Sequence, residues 1–178
     1  MEAGRAAADG TTYNNGYGIC FVPRTQLTTA KWNSNTLTGA YMSSTMHTTH
    51  LPNTVTKLQT ILGSHLIQRN VLLSSSVDSS YHSNAYTWTT AYATLMSIGQ
   101  MTGTFTANSN KYDDGEANYK LPVFNFTSFS TDSHFWSRGV WGYSGGGYCA
   151  WLVSSSDGSI SNFSVGSARG VRPLIYLR

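Results

Sequence analysis

The sequence predicts an α+β fold in which short antiparallel strands pack with one or two helices, and three features point there. The segment from Phe135 to Arg178 carries aromatic, β-branched and aliphatic runs, Tyr148 to Val153 and Val171 to Leu177, bounded by Gly-Gly-Gly and Ser-Asp-Gly. That pattern reads as two or three strands joined by tight turns. After Pro52, the residues Val55, Leu58, Ile61 and Leu62 fall on one helical face, which Gly63 stops. The chain has 178 residues, 40% of them apolar, with no break in composition, so one domain over residues 1–178 with a real core is expected. Residues 1–23 are also readable as the end of a longer upstream segment.

In chain order, residues 2–9 have Ala-rich helical propensity ended by Gly10. Tyr17 to Val22 is a short strand candidate closed by Pro23. Thr25 to Ala40, rich in Thr and Asn, predicts a loop pinned by Trp32. Ser43 or Ser44 can cap the helical region that follows. His65 to Leu73 reads as a strand, Tyr86 to Met96 alternates aromatics with Thr, and Ser97 opens a short helix ending near Gly103. A polar loop then carries Asp113, Asp114 and Glu116, and Leu121 to Phe126 returns to the core. The strand at Val171 to Leu177 is too apolar for an exposed edge and is expected near a sheet centre.

The C-terminal segment is compositionally unusual. Lys, Met, Gln and Glu occur 15 times in residues 1–136 and not at all in the 42 residues from 137 to 178. What remains is small, hydroxylic or aromatic. Tyr and Trp supply rigid contact area at low entropy cost while Ser, Gly and Asn adapt their hydrogen bonds, which is how a paratope is composed. Ordinary Gly/Ser-rich hairpins share that composition.

The residues Phe-Trp-Ser-Arg-Gly-Val from Phe135, and the run from Ala150 to Leu177 containing Ser-Asp-Gly and Gly-Val-Arg-Pro, resemble the closing signature of a bacterial and phage domain family. That family is similar to the formylglycine-generating-enzyme version of the C-type lectin fold. Upstream segments, among them TGAYMSSTMHTTHLP and KLPVFNF, resemble stretches that precede the signature in phage members, so the likeness covers most of the chain after Pro23. Several phage members resemble the variable proteins of diversity-generating retroelements, in which adenine-directed mutagenesis rewrites codons of such a segment. Asn codons mutated at adenines never reach Lys, Met, Gln, Glu or Trp. The first four are absent after residue 136, whereas Trp136, Trp141 and Trp151 would have to be fixed scaffold positions or come from other codons.

Other classes find little support. Charged residues are 11% of the chain with a formal net charge of +3, scattered rather than clustered, which argues against a nucleic-acid face. No apolar run is long enough to span a membrane, and the first residues lack the apolar core of a signal peptide. Cys20 and Cys149 are too few for a disulfide framework, and buried free thiols are favoured over a bridge. His47 and His50 have metal-compatible spacing but no third ligand nearby in sequence, and the Asp113, Asp114, Glu116 loop lacks the EF-hand pattern and the EPN, QPD and WND tripeptides of calcium-dependent lectins. No metal or cofactor is expected. The sequons at Asn125 and Asn162 matter only in a eukaryotic secretory protein. No triad elbow, zincin motif or P-loop is present, and the two cysteines lack the closely paired arrangement that the oxidase chemistry of the resembled enzymes requires, so no enzyme is expected.

Two readings of different class follow. In the first, the chain is a receptor-binding or display protein on a phage virion or bacterial surface, and residues 135–178 contact a protein or glycan on the host cell. In the second, it is a structural domain whose partner is another virion protein or another copy of itself. The expected ligand-binding residues are Trp141, Tyr143, Tyr148, Ser154, Ser156, Ser161, Asn162, Phe163, Ser167 and Arg169, which fall in or beside turns of the final hairpins. The expected structural residues are Trp136, Arg138, Trp151, Gly158, Arg172 and Pro173. Period-2 alternation divides Cys149, Trp151 and Val153 from Tyr148, Ala150 and Leu152.

Overall fold

The computed structural model describes residues 19–102, 134–144, 146–154 and 158–178, and within them the chain is a mixed α+β fold, mostly sheet with one main helix. Strands β1 (Ile19–Phe21) and β2 (Thr28–Lys31) lead to a π turn at Met46–His50 and helix α1 (Leu51–Leu62). Strands β3 (Arg69–Val77), β4 (Ser83–Ala91) and β5 (Ala93–Leu95) precede the short helix α2 (Ile98–Thr102). The last part supplies β6 (Phe135–Ser144), β7 (Gly147–Val153), β8 (Ile160–Ser164), β9 (Ala168–Val171) and β10 (Pro173–Leu177). These form a three-stranded sheet β1-β10-β5, a five-stranded sheet β2-β9-β6-β7-β8 and a two-stranded ribbon β3-β4. All named pairs are antiparallel except β6 with β9, which touch in parallel at Phe135 and Gly170.

Local chemistry sets the helix boundaries. Ser44 accepts the His47 N–H on its hydroxyl at 3.2 Å, so it is Ser44 and not Ser43 that caps the first turn. Pro52 sits in the first turn of α1, where its missing donor costs nothing, and Gly63 at φ 54° ends the helix. Val55, Leu58 and Leu62 pack against Leu66, Ala93 and Ile175. Ile61, expected on the same face, is 79% exposed, because three residues past Leu58 the helix has rotated it beyond the covered stripe. At α2, the Gln100 N–H donates to the Ser97 hydroxyl and the Ser97 N–H to the Gln100 side-chain carbonyl, each at 2.9 Å, a reciprocal capping box.

The core is tied across the chain by two buried indoles. Trp32 donates from Nε1 to the Ser137 carbonyl of β6, and Trp136 donates from Nε1 to the Ala30 carbonyl of β2, both at 2.9 Å. Each ring is fully buried, so each N–H needs the partner it has. Buried Tyr41 joins them: its ring lies 5.9 Å from Trp32, and its hydroxyl accepts the Leu95 N–H at 2.9 Å. Burial raises the Tyr41 phenol far above its ordinary value.

The Gly-Val-Arg-Pro run joins the two larger sheets. A Cβ on Gly170 would stand 3.0 Å from the His134 carbonyl oxygen and closer still to the Gln26 side-chain oxygen, so the β6–β9 approach requires glycine. Val171 is in the core. Arg172 donates from Nε and Nη2 to the Pro23 carbonyl at 3.0 and 2.9 Å, with its guanidinium 4.7 Å from the Phe135 ring centroid. Its desolvation lowers its pKa from the ordinary value. Pro173 opens β10, the position at which a strand tolerates proline. β10 lies between β1 and β5, as its apolar sequence predicts.

Several expectations are corrected. The C-terminal segment holds five strands, not two or three, because residues as polar as Ser161, Asn162 and Arg169 still pair in ladders. The predicted loop from Thr25 to Ala40 contains β2, whose Thr-rich side chains are exposed while Ala30 is buried. The strand expected from His65 starts only at Arg69, after a tight turn at Gly63–His65. Cys20 and Cys149 are both free, as expected, on different sheets, but only Cys149 is buried while Cys20 is half-buried. The expected N-terminal helix, the acidic loop and the core segment at Leu121 to Phe126 lie outside the described residues.

Two outcomes follow from this packing. Trp136→Phe removes one indole donor, strands the buried Ala30 carbonyl and leaves a void, so urea unfolding should show a loss of about 2–4 kcal/mol at unchanged m. His47 rests on Tyr41 with ring centroids 5.1 Å apart, and burial lowers its pKa. The unfolded chain therefore binds this proton at a pH where the folded chain does not. Stability should be complete above about pH 6.5 and fall as acid passes below it, and a urea midpoint series should show that pH slope reduced in His47→Gln.

Candidate recognition surface

The β6–β7 hairpin positions the surface. Its ladder runs regularly from Phe135 opposite Val153 to Trp136 opposite Leu152, then slips, with Val140 opposite Ala150 and Gly142 opposite Cys149. β6 carries two extra residues between Trp136 and Val140 and a third, Trp141, before Gly142, and the bulge at Trp141 changes the face to which later side chains turn. β7 is regular against β8, pairing Ala150 with Phe163, Trp151 with Asn162 and Leu152 with Ser161. Because directly opposed residues share a face, Tyr148, Ala150 and Leu152 lie with Ser161 and Phe163 on one side, and Cys149, Trp151 and Val153 lie with Asn162 on the other. Both sides of β7 are buried from Cys149 onward, so alternation here separates two packed faces rather than core from solvent.

Tyr143 stands opposite Tyr148 beside the turn that closes the hairpin, with ring centroids 5.3 Å apart and planes at 72°. A third ring arrives from elsewhere. Tyr81, in the turn between β3 and β4, meets Tyr148 edge-on at 4.9 Å and Tyr143 at 6.1 Å. These tilted geometries are the favoured ones for aromatic pairs. Tyr81 holds φ 61°, a backbone conformation that is costly for an aromatic residue. The turn around it is fixed by the Asp78 carboxylate, which accepts the Ser80 N–H at 2.8 Å and the His82 N–H at 3.0 Å. Gly142 admits the turn, since a Cβ there would meet the Ser80 carbonyl at 3.3 Å. The Tyr81 hydroxyl and its charge upon ionisation raise the Tyr148 phenol above its ordinary value.

On the same face, Phe163 is a diagonal neighbour of Tyr148, on the order of 7–8 Å away between backbones. Phe163 is 41% exposed, and the Arg169 guanidinium lies over its ring at 3.9 Å from the centroid. Arg169 donates from Nη1 to the Ala168 carbonyl at 3.0 Å. Together with His134, Leu152 and Ser161, these two side chains line a depression of about 400 Å³. That size falls within the range of small-molecule and side-chain subsites. Among the described residues, no group of three or more His, Cys, Asp or Glu side chains forms.

The structure thus joins Tyr143, Tyr148, Ser161, Phe163 and Arg169 of the expected surface. Trp141, half-buried, is turned to the opposite face by the bulge and packs edge-on against Trp151 at 6.1 Å. Asn162 shares that opposite face. Ser154 is only 8% exposed, held in a turn by its N–H to the Ser159 carbonyl and by the Gly158 N–H to its own carbonyl, so it offers no side-chain surface. Ser167 closes the β8–β9 turn through its N–H to the Ser164 carbonyl. Ser156 lies outside the described residues. Trp136, Arg138, Trp151, Arg172 and Pro173 are buried, and Gly158 takes φ 70° in the turn before β8. Tyr81 and His134 were missed. The Ser-rich run around Tyr81 signals a turn, but nothing local signals that the turn docks on residues sixty positions later.

No family model matches the chain, and neither a curated protein nor a solved structure matches it. Tyr81→Phe keeps the ring and deletes the hydroxyl, so the Tyr148 phenol should titrate at lower pH, nearer the ordinary value of about 10, in ring-carbon NMR of the tyrosines.

Proposed function

We propose that this chain is a ligand-recognition protein with a C-type-lectin-like fold. On this reading it is phage-encoded, is a variable protein of a diversity-generating retroelement displayed on the virion, and binds a protein or glycan on a bacterial cell surface. The observation that carries the reading is the ring cluster of Tyr81, Tyr143 and Tyr148 with Phe163 on the same face of the sheet, where Tyr143 and Phe163 are 53% and 41% exposed while Trp136 and Trp151 are buried. Exposed aromatic clusters on a rigid scaffold are expensive to leave in water and serve as anchors in interfaces. The compositional bias after residue 136 and the resemblance of the closing signature support the same reading.

A second reading, a structural assembly domain, is favoured by Phe21, Leu27 and Ile61, which are exposed by 49%, 45% and 79% outside the aromatic face. The two separate by substitution. Replacing Tyr143, Tyr148, Phe163 and Arg169 together by Ala should leave the melting temperature within about 5 °C and reduce adsorption to host cells at least about tenfold. Adsorption that survives this variant, with particle assembly lost in a Phe21, Leu27, Ile61 serine variant, gives the assembly reading.

A further inference from the structure

The five-stranded sheet ends on β8, and among the described residues no strand pairs with its outer side. Its ladder phase is fixed at both ends: the Val165 N–H reaches the Tyr148 carbonyl at 3.0 Å, and the Ser154 N–H reaches the Ser159 carbonyl at 2.8 Å. In an antiparallel ladder the hydrogen-bonded pairs recur every second residue, so Ser161 and Phe163 bond inward to β7 while Ile160, Asn162 and Ser164 turn their amides outward. The Ser164 carbonyl is taken by the Ser167 N–H. The N–H and C=O of Ile160 and Asn162, and the N–H of Ser164, have no partner among the described residues.

Natural edges are commonly blunted by lysine, proline or a bulge, and β8 (Ile-Ser-Asn-Phe-Ser) has none of these. Beside it lies the depression with the Arg169 guanidinium stacked on Phe163, and no carboxylate of the described residues pairs with that cation. Nη1 of this guanidinium donates to the Ala168 carbonyl, and stacking leaves the remaining in-plane donors suited to a carboxylate.

We propose that β8 is a strand-addition site, taking an extended acidic segment of a partner protein as a sixth strand of the sheet. Main-chain hydrogen bonds to Ile160 and Asn162 hold the guest. Every second guest side chain then lies beside Ser161 and Phe163, and an acidic residue there reaches Arg169. A second copy of this chain fits the edge less well, because each copy carries a net charge of +3 and its own Arg169. This inference rests on the recognition reading and specifies its ligand class.

The test uses the full chain and a fluorescent heptapeptide alternating glutamate with valine and threonine, followed by anisotropy. Its lysine counterpart, and a version N-methylated at the valine and threonine amides, should each bind at least about tenfold more weakly. Asn162→Pro removes an outward donor without touching the ladder to β7 and should weaken binding similarly. Arg169→Ala should cost about fivefold or more and flatten the salt dependence. Circular dichroism checks that each variant folds, and should Asn162→Pro not fold, the N-methylated peptide decides. No binding by the acidic peptide at about 1 mM, equal binding by its N-methylated form, or a dimer in sedimentation that Asn162→Pro dissolves would each overturn the proposal. If host adsorption is lost in the aromatic alanine variant yet kept in Asn162→Pro, recognition stands and strand addition falls.

Discussion

The crossed pair of indole hydrogen bonds is the constraint on which the described structure hangs. Trp32 reaches the backbone beside Trp136, and Trp136 reaches the backbone beside Trp32, so neither segment can move without exposing a buried donor and a buried acceptor at once. The β2 segment has almost no apolar pattern of its own, and the tie gives it a fixed place. That place sets β9 by pairing, and β9 sets the start of β6 where Gly170 meets Phe135. The hairpin that carries the aromatic face grows from this anchored start. Precision at Tyr143 and Tyr148 is therefore inherited from two rings that are themselves fully buried.

Burial and display divide cleanly by side chain. The Gly-Val-Arg-Pro run spends one residue on close approach, one on the core, one on a two-pronged grip of the Pro23 carbonyl and one on opening a central strand. None of the four is free to vary without a cost in folding. The surface residues differ: Ser161 and Phe163 bond through their backbones and leave their side chains to solvent. A ladder held by main-chain groups tolerates many side chains, which is the physical condition for a surface that changes while its scaffold does not.

The parts of the fold legible in the sequence were those with strong local signals. The central position of β10 follows from its apolar run, the helix from its periodicity and Pro52, and the α2 start from Ser97 with Gln100. Long-range pairing supplied the rest. β2 is a strand because β9 and Trp136 make it one, since within Thr-Thr-Ala-Lys the strand preference of the two threonines is offset by Ala and Lys. The bulge at Trp141 reversed a face that alternation alone would have assigned, which removed one expected anchor from the surface. Tyr81 entered the site by tertiary docking from the β3–β4 turn, a relation that one sequence does not encode locally. Arg169 and Phe163 were both expected, but their stacking depends on the sheet order.

The pairing of Ile19 with Leu177 has a kinetic consequence. The strand at the centre of the three-stranded sheet is the last one described, so on a ribosome it emerges after both of its neighbours have waited unpaired. Closing so long a loop is entropically slow compared with forming local hairpins such as β3–β4 or β6–β7. Folding of this sheet then waits for β10: the hairpins form early, and the two short edges of β1 and β5 stay sticky until β10 arrives. A chain cut even a few residues before Pro173 would lose its central strand and the grip of Arg172, and would persist as an aggregation-prone intermediate rather than as a smaller working protein.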